Sequence, residues 1–213
     1  MMGKGRILIV VPSQQKVTDW KNEGQRVMVK ATPLKDTNDI GENVVVTTYA
    51  NMRDNWRLQS EPWDLVVYDE SHNLSSNAQG TEGANIAAHE LTTNKPGWNQ
   101  QRKWIQAELG PRPSREDEKA VTRYENEAEQ ASKRIQYRAD TAPDTKVVFL
   151  SATPFAYHKN LKYADGFLYR SPESKGSSGY NVPQGFDRYL VENFGYSMRT
   201  NRLTSPGPEV DVG

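Results

Sequence analysis

No cysteine occurs in the 213 residues, which removes disulfides and thiolate metal centres from consideration. Net charge is missing as well, since 27 Lys and Arg balance 27 Asp and Glu. An overall basic field announcing nucleic acid is thereby excluded, and any contact with a polyanion has to be local. No apolar run comes near the roughly 18 residues that a membrane span requires. Behind the basic start of the chain, the apolar stretch Ile7–Val11 runs for five residues and stops at Pro12, short of the about 7–15 of a secretory signal. The expectation is a soluble, cytoplasmic protein with no membrane partner. Apolar residues make up 35 % of the chain, slightly under the usual share, so some segments lie outside the core. The length suits one sizeable α/β domain with appendages.

What is present begins with four short runs rich in Val and Ile: Ile7–Val11, Val44–Thr48, Leu65–Tyr68 and Val147–Leu150. Each reads as a strand buried on both faces. Arg26–Lys30 alternates more weakly, like an edge strand. Helical patterns separate several of them, over Gln14–Glu23 after Ser13 and over Ala50–Leu58 after Tyr49. Strands alternating with helices predict a parallel, doubly wound sheet, whose ligands lie just beyond the carboxyl ends of the strands.

Between Leu74 and Asp144 the connection is far longer than a loop, so it carries structure of its own. Ser114 and Asp117 look like a capping pair, and Val121, Tyr124, Ala128, Ala131 and Ile135 recur at helical spacing. One amphipathic helix ending near Pro143 is expected there, packed on the domain. After Phe155 the chain turns rich in Tyr, Gly and Pro, with a loop-like Ser171–Gly185 and a short helix over Phe186–Phe194. This segment, 156–213, reads as a connector.

The chemistry-bearing positions follow the strands. Leu65-Val66-Val67-Tyr68 runs into Asp69 and Glu70, then Ser71 and His72. Phosphoryl transfer from ATP needs one carboxylate to hold magnesium, in part through water, and a second to orient and deprotonate the attacking water. Asp69 suits the first role and Glu70 the second. Two adjacent acids after a strand also occur in ordinary surface turns. Nothing in the spacing gathers His72, His89 and His158 as metal ligands. Val147-Val148-Phe149-Leu150 opens into Ser151-Ala152-Thr153-Pro154, where Ser151 and Thr153 can hydrogen-bond a carboxylate or His72 across the strand ends; the same residues also serve simply to end a strand.

Together, Asp-Glu-Ser-His and Ser-Ala-Thr resemble the DEAD/DEAH-type box and the following signature motif of superfamily-two helicases. Upstream, Ile9-Val10-Val11-Pro12 with Trp20, and Val45-Val46-Thr47-Thr48-Tyr49, resemble that family's two strand-end nucleic-acid contacts. The resemblance covers Gly5 to Phe155 without the insert, and Tyr189–Tyr196 is similar to strawberry-notch-like and phage-type members. It implies an α/β, RecA-like parallel sheet flanked by helices over 1–155, with a helical insertion at 74–144. It further implies ATP and Mg2+ as cofactors, DNA or RNA and a second RecA-like domain as partners, and Asp69 as the magnesium carboxylate. Catalysis would fall to Glu70, Asp69 and His72, coupling to Ser151 and Thr153, and strand binding to Pro12, Ser13, Thr47 and Thr48.

One departure matters. The family's phosphate-cradling loop, Gly-x-x-x-x-Gly-Lys-Ser/Thr between a strand and a helix, is absent, and Gly3-Lys4-Gly5 precedes a strand instead of following one. The expectation is a P-loop NTPase fold lacking that strand and loop, a hydrolase in the complete protein and inactive as these 213 residues alone. Two other readings stay open: a non-catalytic nucleic-acid-binding or scaffold domain, and a nuclease using Asp69 and Glu70.

Overall fold

A computed structural model describes residues 5–74, 81–152, 163–164, 167, 185–199 and 202–204. Five strands, β1 (Ile7–Val11), β2 (Thr32–Pro33), β3 (Val44–Thr48), β4 (Leu65–Asp69) and β5 (Lys146–Leu150), form one sheet in the order β2-β3-β1-β4-β5. Every pairing is parallel. The helices are α1 (Gln14–Arg26), α2 (Tyr49–Asp54), α3 (Trp56–Gln59), α4 (Thr81–Thr93), α5 (Trp98–Leu109), α6 (Glu118–Thr141) and α7 (Gly185–Phe194). The chain is thus an α/β fold with a parallel sheet flanked by helices. No helix among the described residues is long and apolar enough to cross a membrane.

The Val and Ile runs form strands because both faces of the sheet are covered. Leu8, Val10, Val45, Val66 and Tyr68 enter a core with Met52, Leu58, Leu74 and Ala88. Alternate residues Ile9, Val11, Val46 and Val67 pack on the other face against Val17 and Trp20 of α1. Each side chain buried in this way contributes about 1.5–3 kcal/mol.

The expectations fail in four places, each for a local reason. Val147–Leu150 is not buried on both faces: β5 lies at the sheet edge, and Val148 and Leu150 remain 40 % and 38 % exposed. They share a face with Ile9, Val11 and Val67, but α1 lies over β1, β2 and β3. The edge strand expected at Arg26–Lys30 is displaced to Thr32–Pro33, because α1 continues through Arg26 and Met28 then turns the chain with φ 58°. The single helix expected over Ala50–Leu58 splits at Asn55, whose side chain accepts from the Arg57 amide at 3.1 Å and starts α3. The insert holds three helices rather than one.

Those three helices are docked on the domain. Asp117 caps α6 by accepting from the Ala120 amide at 3.0 Å, while Ser114 accepts from Glu116 one turn earlier. Arg134 of α6 reaches Glu108 of α5 at 2.6 Å and Glu61 at 3.3 Å. Arg138 is buried and donates to the carbonyls of Leu91 and Asn94 at 2.6 and 2.7 Å. It thereby satisfies acceptors that the end of α4 leaves open. Further along the chain, Phe186, Leu190 and Tyr196 join the main core, so α7 packs on the domain. An antiparallel pair not foreseen from the sequence, β6 (Ser197–Arg199) and β7 (Arg202–Thr204), follows it. Most of Ser171–Gly185 lies outside the described residues.

Candidate nucleotide and nucleic-acid site

The chain goes from β1 to β2 and β3 on one side, then to β4 and β5 on the other. In parallel sheets such a reversal is where ligands are bound, beyond the carboxyl ends of the strands, which here are those of β1 and β4. Asp69 and Glu70 stand there because the buried Leu65–Tyr68 run ends at them. Pro12 and Ser13 follow β1, Thr47 and Thr48 finish β3, and Ser151 follows β5. Thr153 lies outside the described residues.

Asp69 is held from two elements. Its Oδ2 accepts from the Trp20 indole of α1 at 2.9 Å, and its carbonyl accepts from the Tyr49 hydroxyl of α2 at 2.8 Å. Burial, then the neighbouring Tyr68 and Asp69, push the Tyr49 phenol well above its ordinary range, so it stays a donor. Neither partner is visible in sequence spacing, since they are 49 and 20 residues away. Pairing signals between single polar residues at such separations do not exist in one sequence.

Glu70 adopts φ 51°, a left-handed conformation that costs a residue with a Cβ about 1–2 kcal/mol. Asn73 secures it, donating to the Glu70 carbonyl from its amide at 3.0 Å and its side chain at 2.8 Å. Asn85 of α4 in turn donates to the Asn73 carbonyl at 3.0 Å, so the insert braces this turn. The turn sends the Glu70 carboxylate to 3.4 Å from His72 Nδ1, and the same nitrogen lies 3.2 Å from Ser151 Oγ. Glu70, His72 and Ser151 are therefore one contiguous group joining the ends of β4 and β5. Both Glu70 and His72 keep roughly two fifths of their side-chain surface exposed, at 35 % and 44 %, so the group opens to solvent.

The strand-end residues divide in two. Pro12 and Ser13 are exposed, with Ser13 capping α1 by accepting from the Lys16 amide at 3.4 Å. Thr47 is buried with its hydroxyl accepting from Asn51 at 2.9 Å, and Thr48 caps α2 through the Asn51 amide at 3.2 Å. The Thr47, Thr48 and Ser13 hydroxyls are thus each engaged within the protein, and of the four residues Pro12 and Ser13 are the exposed ones.

The donor chemistry fits the metal end of a magnesium nucleotide. Magnesium keeps most of its water and takes one or two carboxylates plus phosphate oxygens, and Asp69 Oδ1 supplies such an oxygen beside Glu70. No group of three or more metal-ligating side chains occurs among the described residues. A cradle for the phosphates has no counterpart in the sequence. Compared with known protein families and with curated proteins, the chain matches none of them.

Proposed function

We propose that this chain is the nucleotide-binding half of an ATP-dependent motor that moves along, or remodels, DNA or RNA. The observation that carries the reading is the pair of adjacent carboxylates at the end of β4, with Glu70 held at φ 51° and its carboxylate joined through His72 to Ser151 on β5. In this reading Asp69 would hold magnesium and Glu70 would take the proton from water. Bound Mg-ATP would supply the phosphoryl group and the free energy of hydrolysis. His72 and Ser151 would connect that event to the neighbouring strand end, and the motif resemblance assigns Thr153 to the same coupling. The partner half and the phosphate loop would come from outside these 213 residues.

In this reading a further strand would pair with the far side of β5. Among the described residues β5 has one neighbour, and a strand added there would lie about 10 Å from β4, two strand spacings. A phosphate loop at its end would reach Asp69. The opposite edge is blunted by the two-residue β2 with Pro33. A second reading, a non-catalytic scaffold, is favoured by the Trp20 indole on Asp69 and by the absent loop sequence.

Ser13→Glu separates nucleic-acid binding from mere folding. Ser13 is exposed but caps α1 through the Lys16 amide, so the substitution gives up about 0.5–2 kcal/mol of capping, offset in part by a carboxylate at a helix start, and thermal melting is read beside binding to confirm that the variant is folded. Affinity for labelled single strands should fall about five- to tenfold, equally for mixed and homopolymeric sequences, because backbone contacts carry no base information. Unchanged anisotropy titrations would remove this edge from the nucleic-acid path.

A further inference from the structure

Helix α5 has two unlike faces. Trp104 and Glu108 turn toward α6, with Trp104 only 2 % exposed and Glu108 bound to Arg134. The other face presents Trp98, Asn99, Arg102, Lys103 and Gln106, all exposed. Trp98 leaves 67 % of its surface in solvent, and the Arg102 guanidinium lies 4.7 Å from its ring centroid. Beside it, Lys95, Pro96, Gly97 and Gln100 line a cleft of about 340 Å³.

The charge is equally one-sided. From Leu91 to Ala107 the only charged residues are Lys95, Arg102 and Lys103, and one exposed acid, Glu90, also lines the cleft. Some cations on other helices meet acids, as in Arg26–Glu23, Lys133–Glu129 and Arg188–Glu192, each at 2.6 Å. None of the three near α5 makes an ion pair among the described residues. In an electroneutral chain this is a local cationic surface with an aromatic plane at its centre.

We propose that the exposed face of α5 is a stacking platform for single-stranded nucleic acid. A base covers the Trp98–Arg102 plane while Lys95 and Lys103 meet the adjoining phosphates, and Asn99 and Gln106 offer amide hydrogen bonds. Stacking on an aromatic ring backed by a cation tolerates any base, since every base has a π-face. An acidic peptide would satisfy the lysines and leave Trp98 uncovered. A duplex hides its base faces, so the platform selects single strands. The proposal takes the class of partner from the function proposed above, but no residue of the β4 site takes part in it.

The test uses the 213-residue chain and a labelled oligothymidylate, read by anisotropy over a salt series. Trp98→Ala should weaken binding about fivefold to a hundredfold, and Trp98→Phe should recover most of it. Arg102→Glu should weaken binding and lower the slope of log affinity against log salt by about one to two. Both positions are exposed, so thermal melting should be unchanged. Absence of binding by the parent chain, parent-like affinity in Trp98→Ala, or equal competition by duplex or by polyglutamate would each overturn the platform. A loss in Trp98→Ala with no loss in Ser13→Glu would keep the platform and reject the strand-end path; the reverse pattern would reject the platform alone.

Discussion

Glu70→Gln in the complete protein should leave ATP affinity within about twofold and lower hydrolysis at least about a hundredfold, the usual contribution of a general base. The substitution isolates charge from shape. Gln matches Glu in size, keeps a side-chain Cβ in the same left-handed backbone, and can keep its place beside His72 at the present 3.4 Å. It cannot accept a proton from water. Asp69→Asn should behave differently, weakening magnesium-dependent binding first, because a neutral amide is a poor magnesium ligand. Steady-state phosphate release together with an independent nucleotide-binding titration separates the two effects. Turnover near the parent rate in Glu70→Gln would take Glu70 out of the base role.

Acidification should weaken the fold through His89. This residue of α4 is 3 % exposed, with Nδ1 2.8 Å from the Tyr68 hydroxyl and its ring edge-on to Tyr68 and Phe149. Burial lowers its pKa from the ordinary 6.5 to about 4, partly countered by a hydrogen bond to the Tyr163 backbone. The folded state therefore holds a neutral imidazole that the unfolded chain would protonate. Its contribution is fully present above pH 6.5, erodes as the pH falls toward 4, and is lost below that. The depression corresponds to about 3 kcal/mol, a large share of the about 5–15 kcal/mol that holds a domain together. Urea unfolding across this range should show the loss in the parent. His89→Gln, which keeps a neutral hydrogen-bonding group, should start lower and vary less. Parallel pH profiles for the two proteins would assign the acid sensitivity to other groups.

How far the sequence alone reached depended on whether a residue's environment is set locally. Ile7–Val11, Val44–Thr48 and Leu65–Tyr68 were legible because strands covered on both sides keep continuous apolar runs. Val147–Leu150 has the same composition, yet edge position is decided by which neighbours pair, and that is not written in the run itself. Helix α4 escaped because its inward face is largely polar: Asn85, His89, Thr92 and Thr93 are all buried. Asn85 and His89 are satisfied by Asn73 and Tyr68, while Thr92 and Thr93 bond back to carbonyls one turn earlier. Helix α5 escaped because a single Trp104 anchors it, too little for a periodic signal. At the site, the position of the two acids at the end of β4 was legible. The Trp20 and Tyr49 contacts that fix Asp69 arise only once α1 and α2 are packed on the sheet.

If the proposed function is right, Asp69 and Glu70 belong to a nucleic-acid-driven ATPase whose phosphate loop would lie outside these residues. The most direct measurement of that is phosphate release with and without saturating single-stranded nucleic acid, run on the 213-residue chain and on a longer protein that includes a phosphate-cradling loop. Lacking that loop's amides and lysine, the short chain should turn over at background, since the β- and γ-phosphates would have no cradle and Asp69 would hold magnesium only through water. The longer protein should hydrolyse ATP faster when nucleic acid is present, and Glu70→Gln should abolish that rate. Robust Glu70-dependent turnover by the short chain, or no nucleic-acid-stimulated turnover in the longer one, would contradict the account.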